Sequence, residues 1–236
     1  MARKKANQFD IDEIYRNLRA NIEFAQLDEH MQVINIVSTF SNEGKTTVAL
    51  NLARIMAAKY QNVLLMDCDL RNPSIHKQLH ISNAKGLANI ISEFEPNKPI
   101  RLYDAIRAVK FETGERLSVL TTGHRVPNPS EILDSRRFGE ILNQARKEYG
   151  YIIIDCPPMT VTSDAVPISN VADGTLFVIS SKDTDKRKAR AAIHDLQRVG
   201  GNVFGTILTK VQDLGSKRYG YGYGYGYGYG ENNREK

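Results

Sequence analysis

A phosphate-binding pattern lies near the start of the chain. Residues 39–46 read TFSNEGKT and nearly match G-x-x-x-x-G-K-[ST], between an apolar run and a helical pattern. Lys45 would bring a mobile charge to the β- and γ-phosphates, and the Thr46 hydroxyl would bind Mg²⁺. Thr39 replaces the first glycine, while Asn42 tolerates the positive φ that closes such a loop. The alternative is a surface turn rich in small residues. The candidate nucleotide-binding residues are Ser41, Asn42, Glu43, Gly44, Lys45, Thr46 and Thr47.

Carboxylates follow two further apolar runs. Asp67 and Asp69 end the run that begins at residue 64, and Asp155 ends the run that begins at residue 152. In an open α/β sheet, ligands bind at the carboxyl ends of the strands. Three acids there could bind Mg²⁺ and orient or deprotonate a nucleophile. A single such aspartate is often only a helix cap, but two runs of this kind beside a phosphate loop favour catalysis.

The elements that must position these residues alternate along the chain. Continuous apolar runs, typical of strands buried on both faces, occur at residues 33–37, 63–67, 117–121, 151–155, 176–180 and 203–209. Helical patterns lie between them, for example at residues 46–59, 129–149 and 184–199. This alternation predicts an α/β fold with a doubly wound, mainly parallel sheet flanked by helices.

Composition limits the classes of function. Hydrophobic residues make up 41% and charged residues 25% of the 236 residues, as in a soluble globular protein. No apolar run approaches the roughly 20 residues of a membrane span, and the basic N-terminus lacks the apolar stretch of a secretory signal. The net charge of +5 is spread along the chain without a nucleic-acid-binding module, so we expect no nucleic-acid partner. Cys68 and Cys156 lie in apolar runs and are interpreted as buried free thiols.

Three regions are predicted. A helix of roughly residues 10–27 forms an N-terminal region (1–30), the P-loop domain spans 31–212, and a tyrosine-rich tail spans 213–236. On the helix, Glu13, Arg16 and Arg19 form a slowly drifting stripe. The pattern alone favours an ion pair on a solvated helix surface.

The tail contains a strict Tyr-Gly repeat. Half of the repeat is glycine and it has no aliphatic residue, so burial cannot offset its ordering entropy and we expect it to be disordered. Glycine neighbours leave each phenol free to enter an active site. If the last strand is parallel, the tail begins at the same sheet edge as the P-loop. The alternative is an adhesive low-complexity tail. The candidate phosphoacceptors are Tyr219, Tyr221, Tyr223, Tyr225, Tyr227 and Tyr229.

Together these motifs resemble the bacterial tyrosine kinases of capsule and exopolysaccharide operons, over nearly the whole chain. The resemblance implies an ATP- and Mg²⁺-dependent kinase in which Lys45 and Thr46 contact the phosphates and Mg²⁺. It also implies that Asp155 acts through the metal shell, that Asp69 helps to hold the metal, and that Asp67 is the base for the tyrosine hydroxyl. These are the candidate catalytic and metal-binding residues.

Further details of the resemblance concern the loop and its surroundings. Ser41 and Asn42 stand where the family usually has Pro-Gly. Arg71, after the second strand, would either neutralise the transferring phosphate or form a structural ion pair. Residues 128–133, NPSEIL, also resemble a family segment, although the sequence suggests no physical role for them.

The resemblance also implies partners. Glu13, Arg16 and Arg19 match the E-x-x-R-x-x-R motif through which subunits pair into a homo-oligomeric ring. A transmembrane polysaccharide co-polymerase would activate the kinase, and a phosphotyrosine phosphatase would reverse its action. We therefore expect a cytoplasmic protein that is recruited to the inner face of the cell membrane and regulates capsular or exopolysaccharide synthesis and export.

Two other functions fit parts of the sequence. The first is an ATPase switch that transfers no phosphate to protein, like the chromosome- and septum-positioning P-loop ATPases. Those proteins carry an early loop lysine, where this chain has Phe40. The second is a nucleotide-gated scaffold for polysaccharide assembly. Thr209-Lys210 does not match the guanine-reading N-K-x-D motif, which favours ATP over GTP.

Overall fold

Seven strands form one sheet in the order β3-β4-β2-β5-β1-β6-β7. The computed structural model describes residues 2–26, 31–96, 98–160 and 164–211. The strands are β1 (Val33–Ser38), β2 (Val63–Asp67), β3 (Ile106–Lys110), β4 (Arg116–Leu120), β5 (Tyr151–Asp155), β6 (Gly174–Ser180) and β7 (Val203–Thr209). All neighbouring pairs are parallel except β3 and β4. The predicted doubly wound, mainly parallel fold is therefore confirmed.

Helices cover both faces of this sheet. They are α1 (Ala2–Ala25), α2 (Lys45–Ala57), α3 (Ile75–Gln78), α4 (Leu87–Ser92), α5 (Pro129–Leu133), α6 (Arg136–Glu148), α7 (Ala165–Val171) and α8 (Lys186–Arg198). One core packs α4 to α8 against the sheet around Phe138 and Ile154, and the other packs α1 to α3 around Ile22 and Leu52. The central strands β1, β2 and β5 are buried along their whole length, as their continuous apolar sequences predict.

Some boundaries differ from the sequence prediction. The helix predicted over residues 129–149 is two helices, because Ser135 takes an extended conformation and its side chain caps α6 by accepting from the Phe138 N–H. Helix α1 begins at Ala2, well before residue 10. The antiparallel edge strand β3 was not predicted, because its half-exposed residues mix Arg and Lys with apolar side chains. The tyrosine tail lies outside the described residues.

A buried charge network fixes α1 on α2. The Arg54 guanidinium, on α2, forms an ion pair with Asp12 of α1 and another with Glu115, whose Oε1 lies 3.3 Å from Arg54 Nη1. Arg54 is only 5% exposed and Asp12 only 7%. A buried ion pair of this kind tolerates the loss of neither partner, because the remaining charge would be buried without compensation.

The stripe on α1 divides into two parts. Glu13 and Arg16 are exposed, beside Ile14, which is 64% exposed. Arg19 packs against the same chain: its Nη1 donates to the Ile55 carbonyl at 2.8 Å, and its Nε lies 3.4 Å from Glu23. Between the described side chains, no ion pair joins Glu13 to either arginine. Two of the three stripe residues are thus available for contacts with another molecule.

None of the described helices combines the length and apolar character needed to span a membrane.

Candidate functional site

The phosphate loop connects β1 to α2. Two of its residues adopt positive φ, Asn42 at 62° and Gly44 at 98°, and these conformations turn the chain into the helix. A Cβ atom at Gly44 would lie 3.3 Å from Cγ2 of Thr209, so both the backbone angle and the neighbouring strand favour glycine here. Asn42 therefore takes the conformation that a glycine would adopt most easily.

Glu43 stabilises this loop through hydrogen bonds. Its side chain is buried at 1% exposure, where Oε2 accepts from the Phe40 N–H at 2.8 Å and Oε1 accepts from the Thr184 hydroxyl. The Glu43 carbonyl accepts from the Thr209 hydroxyl at 2.5 Å. The loop is consequently tied to the segment before α8 and to the end of β7. The sequence predicts Glu43 as a nucleotide-binding residue. It does not predict the contacts of Glu43 with Thr184 and Thr209, because these residues are far from Glu43 along the chain.

Thr39, at the position of the first glycine, is fully buried. Its carbonyl accepts from the Thr160 N–H at 3.1 Å and from the Thr160 hydroxyl at 2.7 Å. These carbonyl contacts join the start of the loop to the segment after β5, while the buried Thr39 hydroxyl has no hydrogen-bond partner among the described residues.

Lys45 and Thr46 form the first turn of α2. Lys45 is 7% exposed. Thr46 Oγ1 accepts from the Ser74 hydroxyl at 2.9 Å, which links it to the segment that follows β2. Thr47 is exposed. The first turn of α2 therefore combines backbone N–H groups, an ammonium and a hydroxyl, which is the chemistry that binds a polyphosphate.

Asp67 and Asp155 are register partners on adjacent parallel strands. Both are buried, at 0% and 1% exposure. Asp67 accepts backbone N–H groups from Ser74 and Ile75 at 3.3 and 3.2 Å, which orients it at the start of α3. Asp69 is less buried and accepts from the Asn72 N–H at 2.9 Å.

Burial disfavours the charged forms of the two aspartates, Asp67 and Asp155. Burial raises the pKa of Asp155 to about 7; the Thr46 side chain, nearby but without hydrogen-bond geometry, and the Lys45 charge oppose the shift. Burial, with the charge of Asp155, also raises the pKa of Asp67. Among the described residues, neither carboxylate oxygen of Asp155 has a hydrogen-bond partner. Buried, orphaned oxygens of this kind are suited to a cation.

A full protein cage for that cation is absent from the described part of the chain, where no group of three or more His, Cys, Asp or Glu side chains is arranged around one point. Mg²⁺ in phosphoryl-transfer sites is commonly held by one or two carboxylates together with phosphate oxygens and waters. The donor set of Asp155, Asp69 and the Thr46 hydroxyl fits that mode of binding.

Arg71 forms a structural ion pair. Its Nε lies 2.7 Å from Asp164 Oδ2, and its Nη2 lies 3.1 Å from Ser130 Oγ, which itself donates to Asp164. The cluster joins the segment after β2, helix α5 and the start of α7. It also gives Ser130, within residues 128–133, a physical role that the sequence did not reveal.

The fold and this loop define a P-loop nucleotide-binding protein. A family model described as an AAA domain matches residues 31–183. The tyrosine-protein kinase YwqD of Bacillus subtilis is 37% identical over 196 residues, which cover 83% of this chain and 79% of that protein. The putative tyrosine-protein kinase CapB of Staphylococcus aureus is 32% identical, with 85% of each chain covered.

A solved structure, the kinase domain of the Escherichia coli tyrosine kinase ETK, superposes with a TM-score of 0.78 at 31% identity, covering 90% of this chain and 80% of that one. The chain belongs to the AAA-domain family and, within it, to the bacterial tyrosine kinases. The resemblance drawn from the motifs is confirmed.

Proposed function

We propose that this tyrosine kinase uses ATP and Mg²⁺ to phosphorylate the tyrosines of its own C-terminal tail. One observation carries the proposal: β7 is parallel to β6 and ends with Thr209 hydrogen-bonded to the phosphate loop. The chain therefore leaves the sheet beside Glu43 and Gly44 of the phosphate loop. Tyr219 follows Val211 by eight residues, which reach at most about 26–29 Å when extended. A segment of that length is compatible with phosphorylation within one chain and with phosphorylation between neighbouring chains.

The chemistry follows from the positions of the site residues. The loop residues 41–47 would bind the phosphates, and Lys45 would stabilise the charge that develops on the transferring group. Thr46, Asp69 and Asp155 would hold Mg²⁺, which would offset the negative charge of the phosphates. Asp67, the most deeply buried of the carboxylates, would orient the tyrosine hydroxyl and accept its proton.

Intact-mass spectrometry of purified protein incubated with ATP and Mg²⁺ tests this assignment. Up to six phosphates are expected on the tail, and a variant with all six tail tyrosines changed to Phe should gain none there. If radiolabel from the γ-phosphate appears only as free phosphate, the protein is an ATPase switch and the kinase assignment to the tail fails.

We propose that copies of this chain associate through helix α1. Glu13 and Arg16 are exposed there beside the apolar Ile14, so a second copy could contact charged and apolar groups together. We expect the ring that the family resemblance implies, with a transmembrane polysaccharide co-polymerase as activator and a phosphotyrosine phosphatase as its opponent. Such a partner would bring a cytoplasmic kinase to the inner face of the membrane, where it would regulate capsular or exopolysaccharide synthesis.

Changing Glu13, Arg16 and Arg19 to Ala should yield monomers and suppress phosphorylation between chains. Light scattering measures the first effect, and mixing an active with a tail-tagged inactive chain measures the second. Arg19→Ala alone is the matched control, because Arg19 contacts Ile55 and Glu23 within its own chain. Assembly of the triple variant at the parent's mass would show that the stripe only supports the local helix surface.

Progressive phosphorylation should dissociate the ring. Each phosphotyrosine adds about −1.5 to −2 at pH 7, so six add roughly −9 to −12 to a chain of net charge +5. Neighbouring tails would then repel, and salt should partly restore assembly because exposed charges are screened within about 10 Å at 0.1 M. Oligomer mass is compared for unphosphorylated, phosphorylated and six-Tyr→Phe protein. A fully phosphorylated ring that remains intact at low salt would exclude tail repulsion as the switch.

A further inference from the structure

A stripe of basic side chains lies along the solvent face of α8. The residues of this basic stripe, all exposed, are Lys186, Arg187, Lys188, Arg190, His194 and Arg198. At about 100° per residue, Arg187, Arg190, His194 and Arg198 fall within about 80° of one another around the helix axis. Ala189, Ala192 and Leu196 are buried on the opposite side. The stripe therefore extends along the full length of the helix.

The first turn of α8 is unfavourable for these charges. It contains no acidic residue and begins Lys-Arg-Lys at the end of the helix where the dipole is positive. Asp185 offsets this only in part, by accepting the N–H groups of Arg187 and Lys188. Cations placed against the helix dipole do not serve the stability of the helix, which points to a role outside it.

Nearby carboxylates leave most of the stripe uncompensated. Asp183 pairs with Lys210 at 2.6 Å, and Asp195 lies 3.7 Å from Arg198. Over the ranges that the structure describes, no ion pair joins Lys186, Arg187, Lys188 or Arg190 to a carboxylate. These four cations are available to an external anion.

The stripe begins beside the phosphate loop. Lys188 Nζ lies 5.5 Å from the ring centroid of Phe40 in the phosphate loop. The Ser181 hydroxyl, shortly before α8, donates to the carbonyl of Lys210 at 2.9 Å. One end of the stripe is thus close both to the active site and to the point from which the chain continues into the tail.

We propose that the basic stripe binds the phosphorylated Tyr-Gly tail of the same chain. This inference rests on the proposed tail phosphorylation. In an extended Tyr-Gly repeat all tyrosines lie on one side, about 6.6–6.8 Å apart. Steps of three or four residues along α8 advance about 4.5–6 Å. The stretch from Arg187 to Arg198 is about 17 Å long and three successive tyrosines of the repeat span about 13 Å, so several phosphates can lie along the stripe. Arginine can bind a phosphate through two parallel hydrogen bonds.

The position of the stripe favours the tail over an anionic membrane, the other surface that a basic helix suits. The eight residue steps from Val211 to Tyr219 reach about 26–29 Å, and a helix of 13 residues is only about 20 Å long. Binding there would draw each phosphotyrosine away from the site formed by Asp67 and Asp155. The active site would then be free for the next tyrosine.

Fluorescence anisotropy with a synthetic peptide tests the proposal. The peptide carries three phosphotyrosines alternating with glycine, and the protein is the full chain with its six tail tyrosines changed to Phe, so that no phosphorylated tail competes. We expect the phosphopeptide but not the unphosphorylated peptide to bind. Arg187→Gln with Arg190→Gln should weaken binding by roughly tenfold or more. Arg136→Gln with Lys147→Gln, an equal change of charge on exposed residues of α6, should not.

Each outcome decides the proposal. Equal binding by the parent and the α8 variant, or no binding by the parent, overturns it. So does α8-dependent binding to phosphatidylserine vesicles without binding to the peptide, which would make the stripe a membrane surface. If thermal melting shows that the variant is unfolded, Arg190→Gln with Arg198→Gln replaces it. The peptide is already phosphorylated, so this result is separate from whether the protein phosphorylates its own tail.

Discussion

Lys45→Met is expected to abolish phosphotyrosine formation while the protein remains folded. Lys45 lies in the first turn of α2 at the mouth of the phosphate loop, where its charge would meet the β- and γ-phosphates. Because phosphoryl transfer is stabilised mainly by electrostatics, loss of this charge should lower the rate by roughly 10²–10³-fold or more. Phosphotyrosine is measured by intact mass, and the fold by thermal melting.

Lys147→Met is the matched control, since Lys147 is exposed on α6 and away from the loop. It should phosphorylate its tail at the parent's rate. Undiminished phosphotyrosine on Lys45→Met, in protein purified free of other kinases, would show that this loop does not bind the transferred phosphate.

Asp155→Asn should inactivate the enzyme and make the nucleotide-free protein more stable. The buried Asp155 carboxylate has no hydrogen-bond partner among the described residues, and its pKa is raised to about 7. A pKa raised by about three units corresponds to at most about 4 kcal/mol at pH values above 7. The amide removes that cost, because it carries no charge to desolvate, but it is a poor ligand for Mg²⁺.

The difference in stability between Asp155→Asn and the parent should depend on pH, because the pKa of Asp155 is raised in the folded protein. Between about pH 4 and pH 7 the folded parent retains a proton on Asp155 that the unfolded chain has released, so its free energy of unfolding falls as the pH rises through this range. The melting temperature of Asp155→Asn should therefore exceed that of the parent at pH 8 by several degrees and approach it below pH 4. Asp134→Asn, at an exposed position, should show no such difference. A lower melting temperature for Asp155→Asn at pH 8 would mean that the charged carboxylate is stabilised in the folded protein.

The sequence predicted the site where local pattern and sheet geometry act together. Gly44-Lys45-Thr46 follows a buried strand, and Asp67 and Asp155 end two others, so a parallel sheet had to bring them to one edge. The edge strand β3 escaped prediction because a short, half-exposed strand has no continuous apolar run. The break at Ser135 escaped because the apolar spacing continues across it.

Other features could not be predicted because they depend on contacts between distant segments. Arg71, Asp164 and Ser130 lie in three different segments that connect the strands, and only the folded chain brings them into contact. Glu43 occupies a loop position that is often exposed, and only the fold brings Thr184 and Thr209 to its side chain and carbonyl. Local propensity carries no information on such pairs.

The ion pairs of Arg54 decide how α1 behaves as a folding unit. If α1 detached, Arg54 would lose its ion pair with Asp12 and keep only the pair with Glu115, so the buried charge contact between the two helices would be broken. Helix α1 is therefore an integral part of the folded domain and not an independent unit. It should melt cooperatively with the nucleotide-binding sheet, and its backbone amides should be protected from hydrogen exchange to a similar degree. A force that an assembled neighbour exerts on α1 would reach α2 through contacts such as the ion pair of Arg54, and α2 begins directly after the phosphate loop.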